Sequence, residues 1–276
     1  MKGLFNSNEN SKKIFGIREK VDPSLKIILG VIPVVVLLFL WWSLTYGEAE
    51  QRVISPLILP SPFEVVSAIK SLWFEAELSR SVVASTKRVV LGFLIGLACA
   101  FPLGIFMGSF SKIKALFDPI SIFLAYLPIP ALVPLTMSIF GIDEMQKIMF
   151  LALAFLIYLL PLIVKAVDDV DNVYLQTAYT LGAQRQHIVT KVLFPIAFPK
   201  IIQAMRLGFG IGWTYIILAE MVAAERGLGN IIIVAQRRGP REHIYLVLIV
   251  IVLIAYLTDR FWLKLSKILF PYKEIR

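Results

Sequence analysis

Residues 89–109 of the chain read VVLGFLIGLACAFPLGIFMGS, an apolar stretch without a charged side chain. A helix needs about 20 such residues to cross the roughly 30 Å hydrocarbon core of a bilayer, so this stretch predicts a membrane span. Five further runs of similar character lie at approximately 27–46, 117–139, 148–166, 206–224 and 243–263. Transmembrane β-strands would instead alternate polar and apolar residues over about ten positions. The sequence therefore predicts an all-α, polytopic membrane protein with six transmembrane helices.

The composition of the whole chain agrees with this class. Of the 276 residues, 58% are hydrophobic and 17% are charged, and the mean hydropathy is +0.79. Soluble domains usually contain about 45–50% apolar and about 25% charged residues, which disfavours a water-soluble enzyme. The one cysteine, Cys99, lies inside a span, and the two histidines, His187 and His243, cannot form a cluster. Neither an intramolecular disulfide nor a metal site is expected.

The distribution of lysine and arginine predicts the orientation. If the N-terminus is cytoplasmic, the inner segments hold roughly twice as many of these residues as the outer ones, as the positive-inside rule requires. We therefore expect a cytoplasmic N-terminal segment over residues 1–26, a transmembrane domain over 27–276, and a cytoplasmic C-terminus. The formal charge of +9 is largely explained by this topology. No basic and aromatic motif appears, so nucleic acid is not an expected partner.

The long cytoplasmic connection over residues 167–205 contains DDVDNVYLQTAYTLGAQRQHIVTKVLFPIAFPKI. Its first aspartates, Asp168, Asp169 and Asp171, are suited to capping a helix that begins near Asn172. Gly182 permits a sharp turn that interrupts this helix. A second helical stretch is expected from about residue 183 to 194 and is predicted to end at two prolines, Pro195 and Pro199.

This connection is the segment most suited to binding another protein. Small Ala178 and Gly182, together with an exposed Leu181, would form a knob that a groove on a partner could receive. A loop of this length with regular structure, but with no nucleophile, metal cluster or phosphate-binding loop, indicates an interface.

At these residues the sequence resembles a known family. Gln176, Thr177 and Ala178, followed by Gly182 and by Val192-Leu-Phe-Pro195, are similar to the EAA loop of permease subunits of ATP-binding-cassette (ABC) importers. Gln176 stands where that loop has glutamate, and Phe194 stands where it has leucine. The resemblance implies that coupling to an ATPase is carried by Gln176, Thr177, Ala178, Leu181, Gly182, Ala183 and Pro195.

Further segments resemble the nitrate/sulfonate/taurine group of these permeases in order and spacing. They are LPSP (59–62), RVVLGFLIGL (88–97), PLGIFMG (102–108), LPIPALVPL (127–135), FGIDEMQKI (140–148), MRLGFGIGW (205–213), AEMVAAERGLG (219–229) and the pair Asp259-Arg260. The resemblance implies a type I ABC importer permease fold in the inner membrane of a prokaryote. It also implies a homodimer, two cytoplasmic ATPase subunits on the EAA loops, and an external binding protein that delivers a small, anionic solute.

The chain itself is not expected to be an enzyme. It contains no G-x-x-x-x-G-K-[ST] loop for ATP phosphates, so a partner subunit must hydrolyse ATP, and no cofactor is expected in this chain. A secondary transporter driven by an ion gradient is the alternative, but it would need inverted repeats or several intramembrane ion ligands. A membrane-embedded enzyme would need a nucleophile with a base, or a metal cluster.

The solute pathway is expected beside helix irregularities, which lipid tolerates only where protein or a water-filled cavity covers them. Prolines supply such irregularity in the third and fourth spans, at Pro128, Pro130, Pro134 and Pro161.

Intramembrane charges are the second guide to the pathway, because they are costly unless they serve a function. Glu220 either belongs to the pathway or is satisfied by a neighbour such as Arg226 or a backbone amide. Asp259 and Arg260 are expected to form a structural ion pair or to snorkel. Arg206 is expected to anchor its span or to contact the EAA loop.

Overall fold

The computed structural model describes residues 21–74, 76–222 and 224–272. Their helices are α1 (Pro23–Leu44), α2 (Pro62–Phe74), α3 (Leu78–Ser109), α4 (Ser111–Ala125), a 3₁₀ turn (Ile129–Ala131), α5 (Leu132–Phe140), α6 (Glu144–Asp168), α7 (Asn172–Thr180), α8 (Arg185–His187), a π-helical segment (Ile188–Leu193), α9 (Phe194–Met221), α10 (Leu228–Arg238) and α11 (Arg241–Leu269). No strand occurs in the described residues, and the predicted all-α class is confirmed.

Five helical segments are long and apolar enough to cross a membrane: α1, α3, α6, the continuous stretch over 185–221, and α11. A sixth span results if α4 and the helical residues 129–140 are counted together, although they are bent by 87°. The predicted third span over 117–139 therefore corresponds to this bent pair. Pro128 has an extended backbone with ψ of 109°, and a proline also disfavours helical geometry in the residue before it, so the helix breaks there.

Helix α6 lies between α3 and α9, and glycines allow their backbones to approach closely. A Cβ atom added to Gly96 of α3 would lie 2.7 Å from the carbonyl oxygen of Ala152 on α6, and one added to Gly104 would lie 2.7 Å from Ile163. On α9, a Cβ at Gly208 would lie 2.5 Å from the Leu159 side chain. Small residues in such rows are how membrane helices gain packing contacts. The α3–α6–α9 layer is the core of the chain from residue 63 onward.

The chain divides into two compact units, residues 1–62 and residues 63–276. Within the first unit, the indole Nε1 of Trp41 donates to the carbonyl oxygen of Pro60 at 2.9 Å, which ties the end of α1 to the following loop. Trp42 and Tyr46 make an edge contact with ring centroids 5.0 Å apart. Most of the predicted segment 1–26 lies outside the described residues, so the boundary at residue 26 stays a prediction.

Candidate functional site

The loop between α6 and α9 begins with the three aspartates that were expected to cap a helix. One of them caps α7, and the other two form ion pairs. The carboxylate of Asp171 accepts a hydrogen bond from the Val173 amide at 3.0 Å, so Asp171 caps α7. Asp168 instead pairs with Lys114 of α4, and Asp169 lies 3.1 Å from the ammonium of Lys200 on α9. The base of the loop is therefore tied to the helices on either side.

Helix α7 ends in a tight, hydrogen-bonded turn at Gly182. The Ala183 amide donates to the carbonyl of Ala178 at 3.0 Å, and the Gly182 amide donates to that of Tyr179 at 2.9 Å. This pair of bonds defines a Schellman motif, which requires a left-handed residue at the glycine position. Gly182 has φ of +77°, a conformation that β-branched residues rarely adopt. The predicted helix-turn-helix is confirmed up to this point.

Beyond the turn, the prediction that the second helix ends at Pro195 and Pro199 is wrong. After α8, the chain passes through the π-helical segment Ile188–Leu193 directly into α9, with Pro195 in the first turn of α9 and Pro199 inside it. Pro195 has no N–H to bond to the preceding turn, and this missing bond falls where the π-helical segment passes into α9. The wider π turn accommodates the change in hydrogen bonding before the prolines.

The loop presents apolar side chains away from the rest of the chain. Leu181, at the Schellman turn, is 82% exposed, and Val173, Tyr174 and Tyr179 are each more than half exposed. We call these four residues the loop surface. Helix α7 contains no buried residue, and a groove of about 490 Å³ lies between the loop and the start of α4, with Phe110 and Tyr179 among its lining residues. The loop is folded by its own backbone bonds, and its apolar side chains are left exposed.

Most of the remaining residues predicted to couple to an ATPase lie on α7 and at the turn that follows it. Gln176 and Thr177 are exposed on α7, whereas Ala178 and Ala183 are half-buried at the turn. Pro195 is exposed at the start of α9, beyond the π-helical segment. The structure thus places Gln176 to Ala183 together and sets Pro195 apart from them.

The four prolines predicted to lie beside the pathway are all exposed: Pro128, Pro130, Pro134 and Pro161. Pro128 and Pro130 lie at the 87° break between α4 and α5, and Pro161 lies inside α6. The predicted irregularity is therefore present, and its relation to the pathway stays a prediction.

Glu220 lies in a buried charge cluster formed with Ser85, Arg88, Glu144 and Gly229. Its side chain is 0% exposed. The guanidinium of Arg88, which is 3% exposed, donates to the Glu220 carboxylate at 2.6 Å and to the Glu144 carboxylate at 2.8 Å. The Ser85 hydroxyl donates to Glu220 at 2.7 Å, and the Gly229 amide donates to it at 2.9 Å. Four elements, α3, α6, α9 and α10, meet in this buried charge cluster.

The turn before α10 is shaped to fit the Glu220 carboxylate. Gly227 has φ of +137°, and a Cβ atom there would collide with that carboxylate. The Leu228 amide donates to Ser85 at 3.0 Å, and the carbonyl of Arg226 accepts from Arg88 at 2.7 Å. The Arg226 side chain is directed elsewhere, with its Nε atom 3.5 Å from Glu77. The predicted Arg226–Glu220 contact is wrong, whereas the predicted backbone amide contact exists.

These contacts favour a structural role for Glu220, because its carboxylate is enclosed within one chain. Its place in the pathway stays a prediction that the geometry does not support. Sequence reasoning missed Arg88, Ser85 and Glu144. A signal was available, because a buried carboxylate needs a cation as its partner. Arg88 and Glu220 stand at span ends on the same side of the membrane, so Arg88 was a candidate for that cation.

A second ion pair joins α9 and α11. The guanidinium of Arg206 makes two hydrogen bonds to the Asp259 carboxylate, at 2.5 and 2.8 Å. The predicted ion pair between Asp259 and Arg260 is therefore wrong. The guanidinium of Arg260 lies over the ring of Tyr256, 4.9 Å from the ring centroid. Adjacent residues on a helix point in different directions, so residue 260 cannot share the face on which Asp259 meets Arg206.

Apolar helices of spanning length, together with a folded helical loop that has exposed apolar side chains, define a polytopic membrane protein. Residues 100–262 match the family described as the binding-protein-dependent transport system inner membrane component, and the chain belongs to this family. The predicted family is thereby confirmed.

Curated relatives match most of the chain. The taurine transport system permease protein of Escherichia coli (strain K12) is 31% identical over 90% of this chain and 91% of its own length. A putative ABC transporter permease protein of Methanocaldococcus jannaschii is also 31% identical, over 91% and 93%. The nitrate import permease protein of Synechocystis sp. is 26% identical over 93% and 96%. These relatives are permease subunits.

A solved structure of the MetNI methionine ABC transporter in an inward-facing conformation contains a chain with the same fold. Its TM-score is 0.63 at 20% identity, and the alignment covers 72% of this chain and 97% of that chain. The predicted type I ABC importer permease fold is confirmed by this likeness.

Proposed function

We propose that the chain forms the transmembrane pathway of an ABC importer and that its loop surface docks on an ATPase subunit, which hydrolyses the ATP. The observation that carries this proposal is Leu181, 82% exposed at the tip of a turn that the backbone holds rigidly. An apolar side chain presented in this way loses water contact favourably only when a partner covers it. The family to which the chain belongs supplies the kind of partner.

The relatives support a proposal for the solute and the remaining partners. Named relatives carry taurine and nitrate, which supports a small solute that presents an anionic oxygen group, sulfonate or nitrate, and is delivered by an external binding protein. A homodimer with two ATPase subunits is proposed, with the loop and both termini on the cytoplasmic side of the inner membrane. Lysine and arginine, which are enriched in the segments on that side, support this orientation.

The loop is connected so that its movement would reach the pathway. Its first residue follows α6 directly, and its last residues continue into α9 without a break. The pairs Lys114–Asp168 and Lys200–Asp169 tie its base to α4 and α9. Closure of two ATPase subunits would therefore displace the cytoplasmic ends of these helices together.

Gly182→Val tests the docking, because a β-branched residue strains the left-handed turn. We expect recovery of the co-expressed ATPase subunit in a pull-down to fall at least about tenfold, since both the turn and the placement of Leu181 depend on this conformation. Gly141→Val is the matched control. Gly141 also has φ of +77° and open space at its Cβ, but it lies between α5 and α6.

Equal recovery of the ATPase with both variants would remove the Gly182 turn from the docking surface. The gradient-driven alternative is tested separately, in vesicles that contain the purified chain without an ATPase subunit. Solute uptake driven by an ion gradient in those vesicles would contradict the importer function itself. No comparison supports that alternative.

A further inference from the structure

Two tyrosines meet between the helices that flank the loop. The hydroxyl oxygens of Tyr158 on α6 and Tyr215 on α9 lie 3.2 Å apart, and both side chains are half-buried. When two hydroxyls bond to each other, one O–H group is the donor and the other O–H keeps its proton free for another acceptor. The pair therefore holds an unused donor at the joint between α6 and α9.

The face of α9 next to Tyr215 is open. Gly208 and Gly212 pack on Leu159 and Phe155 of α6, whereas a Cβ at Gly210 would meet nothing within 4 Å. Thr214, one turn beyond Gly210, is exposed. Helix α9 thus turns one side toward α6 and a second, partly polar side away from the packed core.

The same open face continues onto α6. Pro161 lies three residues after Tyr158, so the two share a face of the helix, and Pro161 is exposed. Tyr158 lies close to the middle of the span Glu144–Asp168. Polar side chains at that depth normally face other protein or a water-filled cavity instead of lipid.

We propose that Tyr158 and Tyr215 form a hydroxyl site on the pathway wall that contacts the oxygens of an anionic solute during passage, and that the neighbouring open face of α9, which carries Thr214, lines the same pathway. The site deepens the proposed function and rests on it. Neutral hydroxyl donors suit this task because they hydrogen-bond sulfonate or nitrate oxygens without the tight hold of a fixed cation. The site also spans the two helices joined by the loop, so a change in their separation would open or close the Tyr158–Tyr215 contact.

Thiol labelling tests whether this face meets water. In a Cys99→Ala background, Thr214→Cys is placed in the complete importer in membrane vesicles and treated with 2-sulfonatoethyl methanethiosulfonate, a charged sulfonate reagent. Val252→Cys is the matched control, at an exposed, apolar position near the middle of α11. Because only the thiolate reacts and a thiol in lipid does not ionise, we expect labelling at position 214 to be at least about tenfold faster.

Hydroxyl removal tests the contact with solute. The double variant Tyr158→Phe with Tyr215→Phe should lower ATP-driven uptake of the probes taurine and nitrate about tenfold, because charged acceptors lose their donors. Recovery of the ATPase subunit in the pull-down should be unchanged. Tyr256→Phe on α11 is the control and should transport normally.

Equal labelling of the 214 and 252 thiols, or unchanged uptake by the double variant, would overturn the hydroxyl site. If the double variant lowered only the thermal midpoint in detergent and left uptake intact, the tyrosine pair would have a structural role between α6 and α9, and the proposed contact with solute would be wrong. Labelling does not depend on uptake. Absence of ATP-driven uptake by the unmodified importer would therefore count against the proposed function and not against the open face.

Discussion

The buried charge cluster and the loop surface differ in which groups they enclose and which they expose. In the cluster, the Glu220 carboxylate accepts from Ser85, Arg88 and Gly229, and it has no contact with solvent. In the loop, the backbone bonds are satisfied locally, while Leu181 and its neighbours remain exposed. The cluster uses its bonding capacity within one chain, and the loop leaves its apolar side chains exposed.

The two regions also lie at opposite ends of the same helices. Helix α6 runs from Glu144 in the cluster to Asp168 at the loop, and α9 runs back from Phe194 to Glu220. At 1.5 Å per residue, the 25 residues of α6 are about 37 Å long. One end of these helices is therefore fixed by a buried ion pair, whereas the other end meets a loop whose first helix, α7, has no buried residue.

The comparison predicts that variants differ in their effect on the free energy of unfolding, and Arg88→Leu should have the largest effect. Removing one partner of a buried ion pair typically costs about 3–5 kcal/mol, because the remaining charge is left without compensation. Most of this loss should come from Glu220, since Glu144 is 64% exposed and can be hydrated. A large fall in the thermal midpoint of the detergent-solubilised protein is the measurement.

Two further variants test the cause of that loss. Arg88→Leu combined with Glu220→Gln should be more stable than Arg88→Leu alone, because no buried charge is then unpaired. Arg80→Leu, which removes an arginine that is 63% exposed beside Glu77, should have little effect. A double variant as unstable as the single one would contradict the electrostatic explanation.

Asp171→Ala should have an intermediate effect, confined to the loop. The side chain caps α7 through the Val173 amide, and loss of an N-cap usually costs about 1 kcal/mol. Because α7 has no buried residue, we expect this loss to appear as faster amide hydrogen exchange over residues 172–180 with little change in the overall midpoint. Asp171→Asn keeps a capping oxygen and should restore protection. Faster exchange in α6 as well would mean that the cap also supports the span.

The loop was predictable from sequence because its determinants are local. An aspartate one residue before the helix and a glycine after it act on the backbone next to them, so a capping aspartate before Asn172 and the turn at Gly182 could be predicted without a fold. The cluster was not predictable in the same way, because Arg88 and Glu220 are 132 residues apart and meet only after three helices have packed. The packing direction of α3 on α6 had to be known first.

The prolines led to one correct prediction and one wrong prediction. The irregularity expected at Pro128 exists as a sharp break, but the helix end expected at Pro195 does not. A proline has no N–H to donate, and the outcome depends on how the neighbouring backbone accommodates the missing bond. The helix continues through Pro195 directly after the π-helical segment Ile188–Leu193, whereas the backbone becomes extended at Pro128.

Leu181→Glu should have the smallest effect on stability, and it tests most directly whether the loop surface serves binding instead of folding. The side chain makes few contacts within the chain, and exposed substitutions usually change the free energy of unfolding by less than about 0.5 kcal/mol. Recovery of the ATPase subunit should nevertheless fall sharply, since a carboxylate would have to lose water inside the partner's groove. Leu57→Glu, at another exposed leucine, should affect neither property. If Leu181→Glu instead lowered the midpoint as much as Arg88→Leu, the loop would belong to the fixed framework, and the distinction between the two ends of α6 and α9 would fail.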